Sequence, residues 1–292
     1  VLKHRSDQIL VFNDFYLNRH FGLDKLSGPE RNMKTLRSIF FYTILALSTI
    51  VLGTSTIIGS VAGRGWPTLM ARLWGRINLW TAGVSVKLAG SENLVPQQPY
   101  VLASNHQGWF DIFAVLGYFP IRFSWLAKEE LFKIPILGRA MLSAGYIPID
   151  RSDHRKALVS MHKAAQKIRQ GTSVFIFPEG TRSPDGVMRD FKKGGFVLAA
   201  KAEQPIVPIS ISGSHRILPK ATWKVCPGEI RITISQPILP CGTDAKNRDL
   251  LMREVREAIR KNLSAEEAGP DPGPSPQPAE APSAKGGELR SV

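Results

Sequence analysis

Short apolar segments alternate with helical patterns along most of this chain, and this alternation limits the fold more than any other feature. Seven segments have the apolar or alternating character of β-strands: 84–88, 100–103, 123–127, 147–150, 174–177, 206–211 and 229–235. Helical spacing separates several of them, as in 110–118 and, most clearly, 153–170. Strands that alternate with helices predict an α/β fold with a mostly parallel central sheet flanked by helices. Because 229–235 alternates cleanly between apolar and polar residues, we place it at an edge.

A long apolar segment precedes the predicted sheet. Residues 38–63 contain no charged side chain, and a helix of that length would measure roughly 37 Å, enough to cross a hydrocarbon core of about 30 Å. The apolar run is longer than that of a usual signal peptide. We therefore predict an N-terminal membrane-embedded helical segment. The small and polar residues at 53–56 leave a second path open, a helical hairpin that enters one leaflet and returns.

Composition divides the chain into four parts. We expect a poorly ordered extension in 1–32, membrane-associated helices in 33–82, the α/β domain in 83–263 and a disordered tail in 264–292, which is rich in proline, alanine and glycine. Within the second part, Trp66, Trp74 and Trp80 suit the interface of a bilayer, although a helix packed on the domain has the same pattern.

Charge and cysteine content narrow the class of protein. The formal net charge is +14 at pH 7, and a basic chain with an apolar segment favours anionic lipid headgroups. Lysine and arginine form no long basic run, and no helix-turn-helix, zinc-finger or RNA-binding signature is present, so we predict no nucleic-acid partner. The two cysteines, Cys226 and Cys241, lack zinc-ligand spacing, so we predict neither a metal site nor a disulfide.

His106 and Asp111 are the candidate catalytic pair. On one continuous helix their side chains would point roughly 140° apart, so both can face one substrate only if His106 lies in a loop and Asp111 in the next helix. The sequence permits this, because Gly108 loosens the turn and a helical pattern begins at Phe110. His106 would then lie at the carboxyl end of a strand, where open α/β sheets bind ligands. A purely structural His–Asp contact is the alternative interpretation.

Three further segments combine an apolar strand with polar or glycine-bearing residues: 145–151 (GYIPIDR), 174–183 (VFIFPEGTRS) and 206–214 (IVPISISGS). Together with 104–111 (SNHQGWFD) and in this order, they resemble the glycerophospholipid acyltransferases of the 1-acylglycerol-3-phosphate acyltransferase family. The resemblance extends over roughly residues 85–260. The chain departs from the family at Gly108, where the family usually carries serine, so a hydroxyl contact is not expected there.

The resemblance implies acyl transfer from acyl-CoA or acyl-carrier protein, as cosubstrate and without a cofactor, to the sn-2 hydroxyl of 1-acylglycerol 3-phosphate. An alcohol attacks a thioester only when a base takes its proton, and we assign that role to His106. Asp111 would fix the imidazole tautomer and stabilise the imidazolium. Because the substrate hydroxyl replaces the serine of a serine triad, no covalent acyl-enzyme is required. Backbone N–H groups near Gly108 and near Gly180 are both candidates for stabilising the oxyanion.

The phosphate of the acceptor requires cationic side chains. Arg182 is the first candidate, as in the family, because a guanidinium group binds phosphate oxygens in pairs. Arg151 is the second candidate, with a surface charge at a strand end as the alternative. The weaker candidates are Lys128 and Lys193.

The turn that carries Arg182 is expected to be ordered by its own residues: Glu179, Gly180 and Thr181. We expect Glu179 to hydrogen-bond the glycerol of the acceptor or to hold Arg182, and an internal salt bridge is the alternative.

Other functions remain open at this point. An acyltransferase acting on glycerol 3-phosphate or on another lysophospholipid would carry the same motifs. A serine lipid hydrolase would need a G-x-S-x-G elbow, which the chain lacks, and a non-catalytic lipid-binding membrane protein would not need His106. We expect lysophosphatidate, the acyl donor and membrane lipids as partners. The expected location is a membrane, the bacterial inner membrane, with the catalytic domain on its cytoplasmic side.

Overall fold

The computed structural model describes residues 28–63, 65–150, 153–219, 222–240, 242 and 244–270. Most of the predicted extension and of the predicted tail, together with Arg151, therefore lie outside the described residues.

A seven-stranded sheet forms the centre of the domain. Its strands are β1 (Val84–Ala89), β2 (Val101–Ser104), β3 (Phe123–Lys128), β4 (Ile147–Ile149), β5 (Ser173–Ile176), β6 (Ile206–Ser212) and β7 (Gly228–Ile234). They lie in the order β1-β7-β6-β2-β5-β3-β4. Neighbouring strands are parallel except β6 and β7, which are antiparallel. The predicted α/β fold with a mostly parallel sheet is confirmed.

Strand β7 lies between β1 and β6, so our placement of this segment at an edge is wrong. Its alternation has another cause, because only one face of the strand is covered by the core. Ile230, Ile232 and Ile234 are buried, whereas Glu229 and Arg231 point to the more exposed face and form an ion pair of 3.2 Å. A strand that is solvated on one face keeps this pattern even when both of its edges are paired, because its side chains still point alternately to the two faces.

Helices surround this sheet. They are α1 (Gly28–Gly59), α2 (Gly65–Ala82), α3 (Phe110–Tyr118), α4 (Leu137–Ser143), α5 (His154–Arg169), α6 (Gly194–Ala202), α7 (Ser214–Ile217), α8 (Ala245–Arg260) and α9 (Ala265–Ala268). The side chains of a strand point alternately to its two faces. Leu102 of β2 accordingly joins the core beneath α1, α2 and α3, while Val101 and Ala103 join the core beneath α5, α6 and α8.

The apolar segment forms one unbroken helix through residues 53–56, so the internal hairpin is wrong. The chain instead reverses after α1, and α2 packs antiparallel against it. Trp66 Nε1 donates to the Ser55 carbonyl at 3.0 Å, and Trp74 Nε1 donates to Thr49 Oγ1 at 2.9 Å. By length and composition, Asn32–Ala62 could cross a membrane, since it contains an 18-residue stretch with a mean hydropathy of 1.9.

One face of α1 packs on the α/β domain. Phe41 is 1% exposed and stacks on Phe110 of α3 with 5.3 Å between ring centroids. Ser38 Oγ accepts a hydrogen bond from the Val225 N–H at 2.8 Å. The opposite face presents exposed apolar side chains: Met33, Leu36, Ile39, Phe40, Leu47, Ile50, Val51 and Ile58. The apolar helix is therefore attached directly to the helix that carries Asp111.

Two predicted boundaries are wrong. Helix α1 begins at Gly28, so residues 28–32 of the expected extension are helical. At the other end, Ser264 caps the short helix α9 through a capping box with Glu267, which is 2% exposed. Composition alone predicts disorder for these residues, because it does not show that the Glu267 side chain is buried among hydrogen-bond donors.

Candidate active site

His106 and Asp111 lie side by side at the carboxyl end of β2. Strand β2 ends at Ser104, a loop carries His106, and Asp111 lies in the first turn of α3. Nδ1 of His106 is 2.6 Å from Oδ2 of Asp111, whose side chain is 0% exposed. Because an ionised carboxylate can only accept, this contact places the proton on Nδ1 and leaves Nε2 as the basic nitrogen.

The carboxylate of Asp111 has four hydrogen-bond donors. Oδ2 accepts from the backbone N–H groups of Gln107 at 2.7 Å and Gly108 at 2.9 Å, in addition to His106. Oδ1 accepts from the hydroxyl of Ser214, at the start of α7. Burying a carboxylate is costly unless such charge-assisted bonds replace its hydration. The same bonds fix the orientation of the group that orients His106.

Ser214 is a site residue that our sequence reasoning missed. It stood at the end of a recognised motif, but nothing local in the sequence indicates which residue its hydroxyl contacts. Nothing in the structure explains the departure at Gly108. A Cβ at Gly108 would approach the Ser214 carbonyl oxygen no closer than 3.4 Å, so the backbone there does not require glycine.

The backbone N–H groups of the two glycines themselves are engaged within the protein. Gly108 donates its N–H to Asp111 at 2.9 Å, and Gly180 donates its N–H to the Phe177 carbonyl at 3.0 Å. The prediction that N–H groups near these glycines stabilise the oxyanion therefore applies to their neighbours.

The turn 177–183 hydrogen-bonds both the N–H and the carbonyl group of His106. Oε1 of Glu179 accepts the His106 N–H at 2.7 Å, and the Ser183 N–H donates to the His106 carbonyl at 2.8 Å. The second oxygen of Glu179 accepts the Arg189 N–H at 3.1 Å. The carboxylate of Glu179 therefore orders the loop that carries His106. We had expected it to bond the glycerol of the acceptor or Arg182. Burial raises the pKa of Glu179 to about 7, against the opposing effect of these two backbone hydrogen bonds.

The imidazole ring is also held from its flat side. Phe177 stacks on His106 with 3.9 Å between ring centroids and 11° between the planes. Trp125 stacks in turn on Phe177 at 5.3 Å. Sequence reasoning had assigned Phe177 only to the end of an apolar strand, because a strand pattern does not show which neighbour a terminal side chain contacts.

The structure places the predicted phosphate-binding cations in different environments. The guanidinium of Arg182 lies 4.8 Å from the ring centroid of Trp109, beside the catalytic loop. Lys128, at the end of β3, forms an exposed ion pair with Glu130 at 3.0 Å. Lys193 forms an exposed ion pair with Asp249 of α8 at 2.9 Å. Among the three predicted cations that the structure describes, Arg182 is therefore the one that lies beside the loop carrying His106.

Lys192 lies over the turn that carries Arg182, a position that we had not predicted. A Cβ built on Gly180 would meet Lys192 Cε at 3.0 Å and Nζ at 3.1 Å. The backbone N–H of Lys192 donates to the Pro178 carbonyl at 2.8 Å. The sequence pairs Lys192 with Lys193, and only the start of α6 decides which of the two side chains faces this turn.

Metal ligands do not cluster near this site. Across the part of the chain that the structure describes, no three His, Cys, Asp or Glu side chains are placed to hold a metal ion.

Comparison with known proteins adds independent information. Residues 85–212 match the family model described as Acyltransferase. The chain is 33% identical over 249 residues to a chloroplastic 1-acyl-sn-glycerol-3-phosphate acyltransferase of Arabidopsis thaliana, with 81% of this chain and 68% of that protein covered. It is 34% identical over 210 residues to the 1-acyl-sn-glycerol-3-phosphate acyltransferase of Pseudomonas aeruginosa, with 69% and 80% covered.

A solved structure has the same architecture. It is the crystal structure of the 1-acyl-sn-glycerophosphate (LPA) acyltransferase PlsC from Thermotoga maritima, with a TM-score of 0.70 and 27% identity. The similarity covers 79% of this chain and 95% of that one. The shared fold, the matched family model and relatives that are 33–34% identical over most of their length confirm the resemblance predicted from four motifs. The chain therefore belongs to the 1-acyl-sn-glycerol-3-phosphate acyltransferase family.

Proposed function

We propose that this protein is a membrane-bound acyltransferase that moves a fatty acyl group from a thioester to the sn-2 hydroxyl of 1-acylglycerol 3-phosphate, giving phosphatidate. The observation that carries the proposal is the 2.6 Å contact between His106 Nδ1 and Asp111 Oδ2. This contact leaves Nε2 as a base at the carboxyl end of a central strand. The acceptor is inferred from the names of the relatives and from Arg182 beside the catalytic loop.

The reaction follows from this geometry in two proton transfers. Nε2 of His106 takes the proton of the acceptor hydroxyl as the alcohol oxygen attacks the thioester carbonyl. Asp111 stabilises the resulting imidazolium, as in a serine triad, but the nucleophile is the substrate itself. When the tetrahedral intermediate collapses, the C–S bond breaks and the imidazolium returns the proton to the thiolate. The ester product and the free thiol leave a neutral histidine for the next turnover.

Arg182 would hold the phosphate of the acceptor while the hydroxyl reacts. Its guanidinium is oriented by the ring of Trp109, which is 49% exposed and flanks the catalytic loop. A planar cation that is oriented in advance loses less conformational entropy when it binds phosphate than a flexible one does. Positioning of this kind lowers the barrier of a bimolecular step without taking part in the bond changes.

A membrane location suits both the acceptor and the product. The exposed apolar face of α1 and the exposed Trp66 and Trp80 of α2 would contact lipid. Trp74 does not belong to that surface, because its indole packs between the helices. We further propose the bacterial inner membrane, with the domain on the cytoplasmic side, where soluble acyl donors are made.

The test is product analysis with purified protein. Lysophosphatidate is incubated with labelled acyl-CoA or with labelled acyl-carrier protein, and the lipid product is identified. We expect phosphatidate with at least one donor, and a comparison of the two donors decides which one the enzyme uses. The variant H106A should lose on the order of 10²–10⁴-fold in turnover. Transfer only to glycerol 3-phosphate or to another lysophospholipid, or undiminished turnover in H106A, would overturn the proposal.

A further inference from the structure

The short helix α9, close to the carboxyl end of the chain, returns to the back of the catalytic site. Its Glu267 is 2% exposed and reaches the turn that follows β6. Oε2 accepts the hydroxyl of Ser212 at 2.5 Å, and Oε1 accepts the backbone N–H of Gly213 at 2.7 Å. We propose that Glu267 is a positioning residue for acyl transfer, which holds this turn so that Ser214 can fix Asp111. The inference rests on the proposed function.

The connection from Glu267 to the catalytic pair is short. Gly213 is bound by Glu267, and the next residue, Ser214, donates its hydroxyl to Asp111. Glu267, Ser214 and Asp111 are 2%, 1% and 0% exposed. Water therefore does not reach these groups easily, and a lost hydrogen bond would leave a buried polar group without a partner. A displacement of the turn would therefore pass to the carboxylate that orients His106.

The turn itself leaves little room for an alternative position. Gly213 has a φ of +87°, and a Cβ there would come within 2.5 Å of the Glu229 carbonyl oxygen. Only glycine tolerates both conditions. With β7 close on one side and Glu267 bonded on the other, the turn is fixed from both directions.

A second connection runs through the loop beside His106. The Gln107 side chain donates to the Gly186 carbonyl at 3.1 Å. Two residues further on, the Met188 N–H donates to the backbone carbonyl of Glu267 at 2.8 Å. Gln107 is also the residue whose backbone N–H donates to Asp111 at 2.7 Å. Helix α9 therefore bonds the turn that carries Ser214 directly and reaches the Gln107 loop through residues 186–188.

Glu267 is ionised in this environment. Burial alone would raise the pKa of Glu267, but hydrogen bonds outweigh it and hold the pKa below its ordinary value. The donors are Ser212, Gly213 and Ser264. Helix α9 could be attached to the domain without a buried charge, because apolar contacts such as that of the buried Ala268 would hold it. Burying the Glu267 carboxylate costs desolvation free energy, and the carboxylate bonds the turn beside Asp111. This combination points to a positioning role.

The experiment compares two neighbouring substitutions. E267Q removes the buried charge, whereas E266Q removes an 82% exposed charge from the same helix, where Glu266 pairs with Arg216 at 2.9 Å. With the acceptor and donor that the wild type uses, we expect kcat of E267Q to fall on the order of tenfold, with both KM values within about twofold. E266Q should match the wild type, and E267A should lose more than E267Q.

A double-mutant cycle separates positioning from a general loss of structure. If Glu267 acts mainly through Ser214, E267Q should lower kcat by less than about threefold in an S214A background, but by its full factor in an R182A background. Equal factors in both backgrounds would overturn the proposal. All rates are measured on protein whose folded fraction is established by thermal unfolding.

A milder variant covers the case in which E267Q does not fold. S212A removes a single donor to Glu267, and we expect a smaller fall in kcat than in E267Q, which again depends on Ser214. An unchanged kcat in whichever of these variants folds would overturn the proposal. If the wild type acylates a different acceptor, only the proposed function is contradicted. The rates of the Glu267 variants are then compared with that acceptor, so the positioning role is still tested.

Discussion

The ring of Phe177 lies flat against the imidazole of His106, with 3.9 Å between centroids and an interplanar angle of 11°. The contact with Asp111 fixes one edge of the imidazole, and this stack fixes its plane. Nε2 therefore has a defined direction before any substrate binds, and such preorganisation is what a general base requires.

The first prediction concerns this stack. F177A should lower kcat on the order of tenfold, because the imidazole gains freedom to tilt about its contact with Asp111. F177L keeps most of the apolar volume and should lose less. The measurement is steady-state kinetics with both substrates varied. If F177A raised only the KM for the donor, the ring would serve the acyl chain and not His106.

Arg182 should contribute to acceptor binding more than to donor binding. We expect R182A to raise the KM for lysophosphatidate by about tenfold or more, which corresponds to the loss of a charge-assisted bond to phosphate, with the donor KM nearly unchanged. R182K should recover part of the loss, because it keeps the charge but not the planar fork. Equal effects on both KM values would remove Arg182 from the phosphate site.

Lys192 and Lys193 form a matched pair for the next prediction. The Lys192 side chain lies over Gly180, whereas Lys193 is paired with Asp249 at 2.9 Å. K192A should therefore raise the KM for lysophosphatidate several-fold, and K193A should change it by less than about twofold, since exposed ion pairs contribute little. The opposite ranking would show that the turn 177–183 is not next to the bound phosphate.

Glu179 should make stability depend on pH. Its pKa is raised to about 7 by burial, so between pH 4.5 and pH 7 the folded protein binds more protons at this site than the unfolded chain does. The free energy of unfolding should therefore fall as pH rises through this window, by roughly 3 kcal/mol in total. E179Q imitates the protonated acid and should flatten this slope in denaturant titrations between pH 4 and pH 8. An unaltered slope would contradict the raised pKa.

The exposed face of α1 should mediate membrane contact. Phe40, Leu47 and Val51 are 47%, 53% and 63% exposed and lie on the side away from the domain. The double variant L47K/V51K should bind liposomes containing anionic lipid more weakly, because a charge in the apolar region costs about 2 kcal/mol or more. L250K, on the exposed surface of α8, is the matched control. Sedimentation with liposomes measures the effect, and equal binding by all three proteins would place the membrane contact elsewhere.

Local pattern predicts much of this fold because it reports what each residue contributes to its own element. Short apolar or alternating segments place all seven strands within one or two residues of their observed bounds, and Phe110–Tyr118 is helical over the predicted range. The same reasoning fails for β7, because alternation reports a solvated face and not an unpaired edge. It also fails for Ser264–Ala268, where a polar, proline-rich context conceals a buried carboxylate.

The site divides in the same way. His106, Asp111 and Arg182 could be selected from motifs, because their chemistry is tied to short spacings in the chain. The role of Glu179 could not, since its two oxygens meet backbone N–H groups of His106 and Arg189. The choice of Lys192 over Lys193 depends on the rotation of a helix start, which adjacent lysines do not reveal.

By itself, the amino-acid sequence determined the positions of the seven strands, the α/β class, the acyltransferase family and the choice of His106 and Asp111 as the candidate catalytic pair. These features depend on residues that are close together in the chain, and periodicity and spacing report the relations among such residues directly. Only the tertiary structure decided the strand order, the attachment of α1 to α3 and the contacts of Ser214 and Glu267 around Asp111. The bond from Ser214 to Asp111 joins residues 103 positions apart, and the bond from Gly213 to Glu267 joins residues 54 positions apart. Hydrogen bonds between such residues exist only once the sheet has brought their elements together.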